Sequence, residues 1–352
     1  MEIVSDFTDA SKWNEYVERH PEGRFCHRFE YRCIQSVYGY TPHYAAFLKD
    51  GQIVGVLPAF AARSLMFGRK LVSQPFSEYG GPLLDGPISS DDIRLIVDWM
   101  RGFLADHKIA ALEMHGCRGM QNGHLRDFVI GNEHQSAHLD LDDSLDEIWN
   151  RVVSYDVRKA VRKALRSGFT VEERSDPETI KREFYPLYLA SMKRLGAPAH
   201  SIEYYLRCRE AFGPTMKIFW TLLGEARVAG LLGFSCGQRI NIINIVSDDK
   251  YWSLRPNDLV HWEFIKWAHG AGYRHFDFGS VRYEGQSRYK KKWGCRFDHH
   301  AYYFLTSRGG ERMGTFDSSS PTMKRLARIW SARVPMTVAQ RLGPILRKQL
   351  VR

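Results

Sequence analysis

The chain has 352 residues, 44% hydrophobic and 13% aromatic, enough apolar material for two domains of roughly 150 to 180 residues. Its net charge of +10 is unevenly placed: residues 318 to 352 hold eight Lys or Arg and no acid, leaving about +2 for the other 317 residues. A basic balance confined to the tail is a weak sign of nucleic-acid binding by the body. No apolar run of about 18 residues exists, which excludes a spanning helix, and Met1-Glu2-Ile3-Val4-Ser5-Asp6 lacks the apolar stretch of a secretory signal, so a cytoplasmic location is expected. The six cysteines (Cys26, Cys33, Cys117, Cys208, Cys236, Cys295) form no CxxC pair, against both a zinc ribbon and a disulfide framework.

In chain order, a helical stretch from Phe29 to Tyr38 leads to a strand, turn and strand around residues 50 to 57 (Asp-Gly-Gln-Ile-Val-Gly-Val-Leu). Glu78-Tyr79-Gly80-Gly81-Pro82 follows as a loop whose small residues let backbone approach a ligand, or simply make a turn. Ile93, Val97, Met100 and Leu104 recur at helical spacing, and Ala111-Leu112-Glu113-Met114 reads as a strand. An acidic cluster, Asp140, Asp142, Asp143, Asp146 and Glu147, marks the join to a second half.

That half opens on a helix from Ser154, its N-cap, to Gly168, its stop, with Val157, Val161, Ala164 and Leu165 as the buried stripe. Arg158, Lys159, Arg162, Lys163 and Arg166 cover the other face, a density suited to successive phosphates and equally to a solvated helix. The order then repeats: a helix from Phe184 to Leu195, a strand-turn-strand at 225 to 232, a long helix marked by Leu259, Trp262, Phe264 and Trp267, and the strand His275-Phe276-Asp277-Phe278. Asn257, after Arg255-Pro256, is expected to N-cap that long helix and is a candidate ligand contact. Two copies of a helix, hairpin, helix, strand unit make a duplicated α/β fold the expected class, with domains at 1–148 and 149–312 and a basic tail at 313–352.

Asp277 should lie on the face opposite Phe276 and Phe278, either satisfying the Gly279 turn or serving a reacting amine. Next comes Gly285-Gln286-Ser287-Arg288-Tyr289-Lys290-Lys291-Lys292-Trp293-Gly294, three lysines between two aromatics, which could hold an acyl carbonyl or phosphate or form an exposed lysine face. The histidines, including His299-His300 after Asp298, show no metal spacing, and no GxSxG, Walker or GxGxxG motif occurs. In the tail Met323, Leu326, Ile329 and Trp330, then Val338, Leu342, Ile345 and Leu346, recur at helical spacing among cations, with Pro335 and Pro344 expected to break the run. Such a segment suits an anionic membrane surface, or closes over the protein's own core.

The Tyr289-Lys290-Lys291-Lys292-Trp293-Gly294 segment resembles the aromatic-Lys-x-x-aromatic-Gly signature of the Fem family of aminoacyl-tRNA-dependent transferases, relatives of GNAT-fold proteins. The preceding Phe276-Asp277-Phe278-Gly279, Tyr79-Gly80-Gly81-Pro82, Arg158-Lys159-Ala160 and Leu342-Gly343-Pro344 extend the resemblance over nearly the whole chain. It is similar above all to the FemAB-like branch found beside exopolysaccharide and exosortase systems. The resemblance implies two tandem GNAT-like domains and transfer of an aminoacyl group from aminoacyl-tRNA, or of an acyl group, to an amine of an envelope, peptidoglycan or polysaccharide precursor. It implies Lys290 as the catalytic lysine that steadies the oxyanion, with Asp277 beside it and no metal or prosthetic group. Tyr289, Lys291, Lys292, Trp293, Arg158, Lys159, Arg162, Glu78, Tyr79 and Asn257 are the implied substrate contacts. The Arg/Gln-x-x-Gly-x-Gly/Ala loop with which acetyl-CoA enzymes cradle pyrophosphate is absent from both halves. An acyl-CoA-dependent N-acyltransferase and a non-catalytic, membrane-associated scaffold of polysaccharide export are the alternatives.

Overall fold

The computed structural model describes residues 1–65, 68–86, 88–116, 128–306 and 320–351. Cys117 and the start of the expected tail lie outside them. The chain forms two compact units, one of residues 1–134, 299–317 and 346–352, the other of residues 135–298 and 318–345.

The first unit carries β1 (Glu2–Val4), α1 (Ala10–Arg19), α2 (Ile34–Tyr38), β2 (Thr41–Lys49), β3 (Gln52–Ser64), β4 (Gly68–Val72), β5 (Leu83–Leu84), α3 (Ser90–Asp106) and β6 (Ala111–His115). β1 to β4 make an antiparallel meander, and β4 then pairs parallel with β6 through Leu71↔Leu112 and Val72↔Glu113. Val, Leu, Ile and Phe alternate along these strands so that one sheet face takes Phe47, Leu57, Leu71, Leu112 and Met114. Ser89 caps α3 by accepting from the Asp92 amide, and Ile93, Val97, Met100 and Leu104 are buried on that face as their spacing requires.

The second unit includes residues from Gln135 onward of β7 (Val129–Asp140), then α4 (Leu145–Glu147), which continues as a π turn over Ile148–Val152. Next come α5 (Tyr155–Arg166), β8 (Phe169–Glu173), α6 (Pro177–Thr179), α7 (Tyr185–Arg194) and α8 (Ile202–Phe212). β9 (Met216–Leu223), β10 (Ala226–Cys236), β11 (Arg239–Ser247), α9 (Pro256–Gly270), β12 (His275–Val281) and α10 (Glu284–Lys292) complete its central part. β8 to β11 form an antiparallel meander, β11 pairs parallel with β12, and β12 pairs antiparallel with β7. The topology of the first unit is thereby repeated, and both units have the GNAT-like arrangement expected from the duplicated pattern. β13 (Arg296–Thr306) pairs antiparallel with β6 through its C-terminal half, in the first unit. α11 (Pro321–Arg333) and α12 (Met336–Leu350) end the chain. No helix among the described residues is long and apolar enough to cross a membrane.

Three local expectations are corrected. Leu165 is 51% exposed, because the stripe of α5 that meets the core is only Val157, Val161 and Ala164. Arg255, in the left-handed region at φ 70°, precedes the first turn of α9, so Asn257 lies inside the helix rather than capping it. Pro344 lies within α12 instead of breaking it. The five cysteines among the described residues are thiols, in no disulfide.

Gly294 terminates the turn after α10 at φ 77°, and a Cβ there would come within 2.3 Å of Val152 Cγ1 and 2.9 Å of its carbonyl oxygen. Gly294→Ala combines left-handed strain with that clash, so we expect a loss of about 2 kcal/mol or more, read from the urea midpoint.

Candidate functional site

In the second unit the chemistry gathers where β11 and β12 run parallel. Their register extends from Arg239↔His275 to Asn241↔Asp277, after which the β12–β7 pairing shifts between Asp277 and Ser280 and Gly279 turns at φ 74°. Strand alternation sends Phe276 and Phe278 into the core and Asp277 to the other face, as expected. Asp277 is 1% exposed; its carboxylate accepts from the Gly279 amide (2.8 Å) and from Asn241 Nδ2 (3.1 Å). It therefore fixes the turn that follows it.

α10 returns over this turn. Of its three lysines only Lys290 is buried, 6% exposed, and its Nζ donates to the carbonyls of Gly279 (2.8 Å) and Ser280 (2.6 Å). An ammonium out of water is costly unless its donors are met, and these carbonyls help to meet them. Lys291 points outward, 5.8 Å from the Phe297 ring, and Lys292 makes an exposed ion pair with Asp156 at 2.7 Å. The helical period thus separates three consecutive lysines into one buried anchor and two surface charges.

Beneath α10, His261 of α9 stacks on Phe278, with ring centroids 5.2 Å apart and planes within 5°. Its Nδ1 meets the Asn257 carbonyl at 2.8 Å, and the Tyr289 hydroxyl lies 3.3 Å from the same nitrogen. Burial holds His261 down at about 4, helped by the charge of Lys290. Burial also raises the Asp258 carboxyl, and raises Tyr289 well above the usual phenol value, with the Asp258 charge adding to the latter. Trp293 is fully buried in the same core. Asp258 and His261 are members of this cluster that sequence reading passed over, since on a helix of mixed polarity they look like ordinary surface positions. The side chain of Asn257 reaches Ser247 Oγ at 3.4 Å through Nδ2, and its buried Oδ1 has no hydrogen-bond partner among the described residues.

On α5, Ser154 accepts from the Val157 amide as the expected N-cap. The Arg158 guanidinium turns back onto the carbonyls of Trp149 (3.0 Å), Asn150 (3.1 Å) and Val153, closing the π turn before the helix. Lys159 and Arg162 are exposed. The helix thus splits its cations between a structural clamp and surface charge available to phosphate.

The other face of β12 holds a second polar group. His138, Asp140 and His275 bring one ligand atom each within 4.8 Å of one another, a set able to hold a cation. They are already paired with neighbours: Asp140 meets His275 Nδ1 (3.0 Å) and Arg296 (3.0 Å), while Asp298 meets His138 Nδ1 (3.0 Å). Arg296 brings positive charge to Asp140, and the members are linked as one polar network. No spacing motif announces it because its members come from neighbouring strands.

In the first unit, Tyr79-Gly80-Gly81 lines a pocket with Glu22, Arg24, His27, His115 and His300. The Arg24 guanidinium, 2% exposed, lies 4.5 Å above the Tyr79 ring, and His300 meets the same ring edge-on at 5.4 Å. Gly81 is required by space, since a Cβ would fall 1.7 Å from the Gly116 oxygen, and Gly80 by its φ of 128°. His27 meets the Gly81 carbonyl at 3.1 Å, and burial holds it down at about 3. Glu78 faces His134 (3.4 Å) and the Tyr302 hydroxyl (3.3 Å). Glu78 and Tyr79 were legible as a loop; Arg24, His27 and His115 came from segments with no motif.

His27 and His261 are neutral when folded and titrate near 6.5 when unfolded, so between pH 6.5 and about 4 the unfolded chain binds more protons. We expect stability to fall as pH is lowered through that window, by up to about 1.4 kcal/mol per pH unit for each group. His261→Gln should flatten the slope of urea-derived stability against pH; an unchanged slope would show that His261 is not held neutral.

Residues 151–291 match the acetyltransferase (GNAT) domain family, a span that ends just after Lys290 and includes Asp277, His261 and α5. No curated protein sequence matches the chain. Among solved structures it is similar to FemX, at 16% identity and a TM-score of 0.67, over 86% of this chain and 97% of that one. L-PGS from Bacillus licheniformis is similar at 14% identity and a TM-score of 0.51, over 83% and 90%. A tandem GNAT protein from the clavulanic acid biosynthesis pathway gives 11% identity and a TM-score of 0.50, over 90% and 100%. Residues 151–291 thus resemble GNAT acetyltransferase domains, and the whole chain has the tandem GNAT fold.

Proposed function

We propose that the protein is a transferase that forms an amide between an activated aminoacyl or acyl group and the amine of an envelope, peptidoglycan or polysaccharide precursor. The observation that carries this reading is the buried Lys290 ammonium of α10, inside the matched GNAT domain and bonded to the carbonyls of Gly279 and Ser280, just past the last β11–β12 pair, Asn241↔Asp277. The acceptor amine attacks the acyl carbon, the donor's ester or thioester bond breaks, and the amine proton passes to the departing oxygen or sulfur. Lys290 brings positive charge to the oxygen that becomes negative, directly or through the Gly279–Ser280 turn it holds. Asp277 fixes that turn and is the carboxylate assigned here to orient the amine, and Tyr289 and Trp293 shape its approach. Lys159, Arg162, Lys291 and Lys292 are exposed cations suited to donor phosphate.

Similarity to the FemX fold and the Fem-like motif favour aminoacyl-tRNA as donor, in the FemAB-like branch beside exopolysaccharide systems. The acetyltransferase-type match over residues 151–291 favours the second reading, an acyl-CoA donor.

Label transfer from charged tRNA and from acyl-CoA, with small amines and lipid-linked precursors as acceptors, tests both. Product lost on ribonuclease treatment is the expected result. Transfer from CoA alone establishes the second reading, and no transfer from either overturns the enzyme and leaves a scaffold. Lys290→Ala should lower transfer about 100-fold or more. Its thermal melt must be read beside it, because Lys290 also holds two carbonyls; a folded variant with full transfer removes Lys290 from the mechanism.

A further inference from the structure

α11 and α12 are built inside out for helices that only close a core. α12 buries its small residues, Ala339 and Gly343, with Gly343 against the Ala199 backbone so closely that a Cβ would lie 3.0 Å from its nitrogen. Its large apolar residues face away: Val338 is 38%, Leu342 44%, Ile345 58% and Leu346 41% exposed. At i, i+4, i+7 and i+8 these four form one stripe, beside which Arg341 and Lys348 are exposed. α11 repeats the pattern. Ala327 packs on Gly196, where a Cβ would meet its carbonyl oxygen at 2.4 Å, and Ser331 exchanges bonds with Lys193 and Arg194. Leu326 and Ile329 face outward, with Arg325 and Arg328 exposed beside them.

We propose that this helical segment docks the protein on an anionic membrane surface. The charge pattern selects this occupant over a protein groove or a second copy: residues 318 to 352 contain eight cations and no Asp or Glu. Apolar stripes bordered by cations match both layers of such a surface at once, acyl chains for Leu342 and Ile345 and headgroup phosphates for Arg325, Arg341 and Lys348. A second copy would instead bring eight cations against eight. Small residues on the inner face hold each helix close to the body while leaving the large side chains outward. The inference is independent of the transferase reading; if both hold, the acceptor is a membrane-bound precursor.

The test is co-sedimentation of the full chain with vesicles of equimolar phosphatidylcholine and phosphatidylglycerol, against vesicles of phosphatidylcholine alone. Binding to the anionic vesicles that weakens with salt is expected, and the double variant Leu342→Ser/Ile345→Ser should reduce it about tenfold or more. Arg325→Glu/Arg341→Glu should reduce it similarly while leaving the melting temperature unchanged, since both side chains are exposed. Absence of binding, or binding that both variants retain, overturns the proposal. So does a dimer in sedimentation velocity that the serine variant dissolves, which would assign the stripe to a second copy.

Discussion

The second unit is organised around a buried ammonium. Lys290 arrives on a short helix and gives its donors to the carbonyls of Gly279 and Ser280, at the point where β12 leaves its regular pairing. A strand end in a turn leaves backbone oxygens that must be satisfied, and a charged donor makes stronger bonds than a neutral one. Asp277 works from the same strand by taking the Gly279 amide, so one turn is held at its amide by an anion and at its carbonyls by a cation. The turn, α10 and the exposed lysines that follow are positioned together.

Elsewhere polar groups gather in clusters. His261, Asp258 and Tyr289 share one cluster, and His138, Asp140, His275, Arg296 and Asp298 share another on the opposite face of β12. In the first unit Lys70 and Glu113 form a buried ion pair at 2.6 Å, and His115 lies 3.2 Å from the same carboxylate. Such groups would cost more than they return if any partner were removed. They are better understood as fixing one arrangement of strands than as sources of stability.

Much of the fold was legible because periodicity survives in the sequence. The hairpins near residues 50 and 225, the stripes of α3 and α9 and the strands at 111 and 275 all follow from spacing, and their repetition from comparing the halves. The Asp277 side of β12 follows from alternation alone. The misreadings were local: Leu165 continued a stripe the core did not reach, Asn257 looked like a cap because Arg255 gave no sign of a left-handed turn, and Pro344 looked like a break although a helix tolerates it when packing holds the flanks. The bond set of Arg158 could not be read, because a guanidinium clamping carbonyls and one awaiting phosphate have the same spacing.

By itself the sequence determined the duplicated α/β pattern, the concentration of charge in the tail and the motif that contains Lys290, since these depend on residue type and period. Tertiary structure alone decided which of three adjacent lysines is buried, which histidines share a neighbour and which face of each tail helix turns outward. Those choices depend on contacts between residues far apart in the chain, such as Gly196 with Ala327 and His138 with Asp298, and no local pattern encodes such contacts.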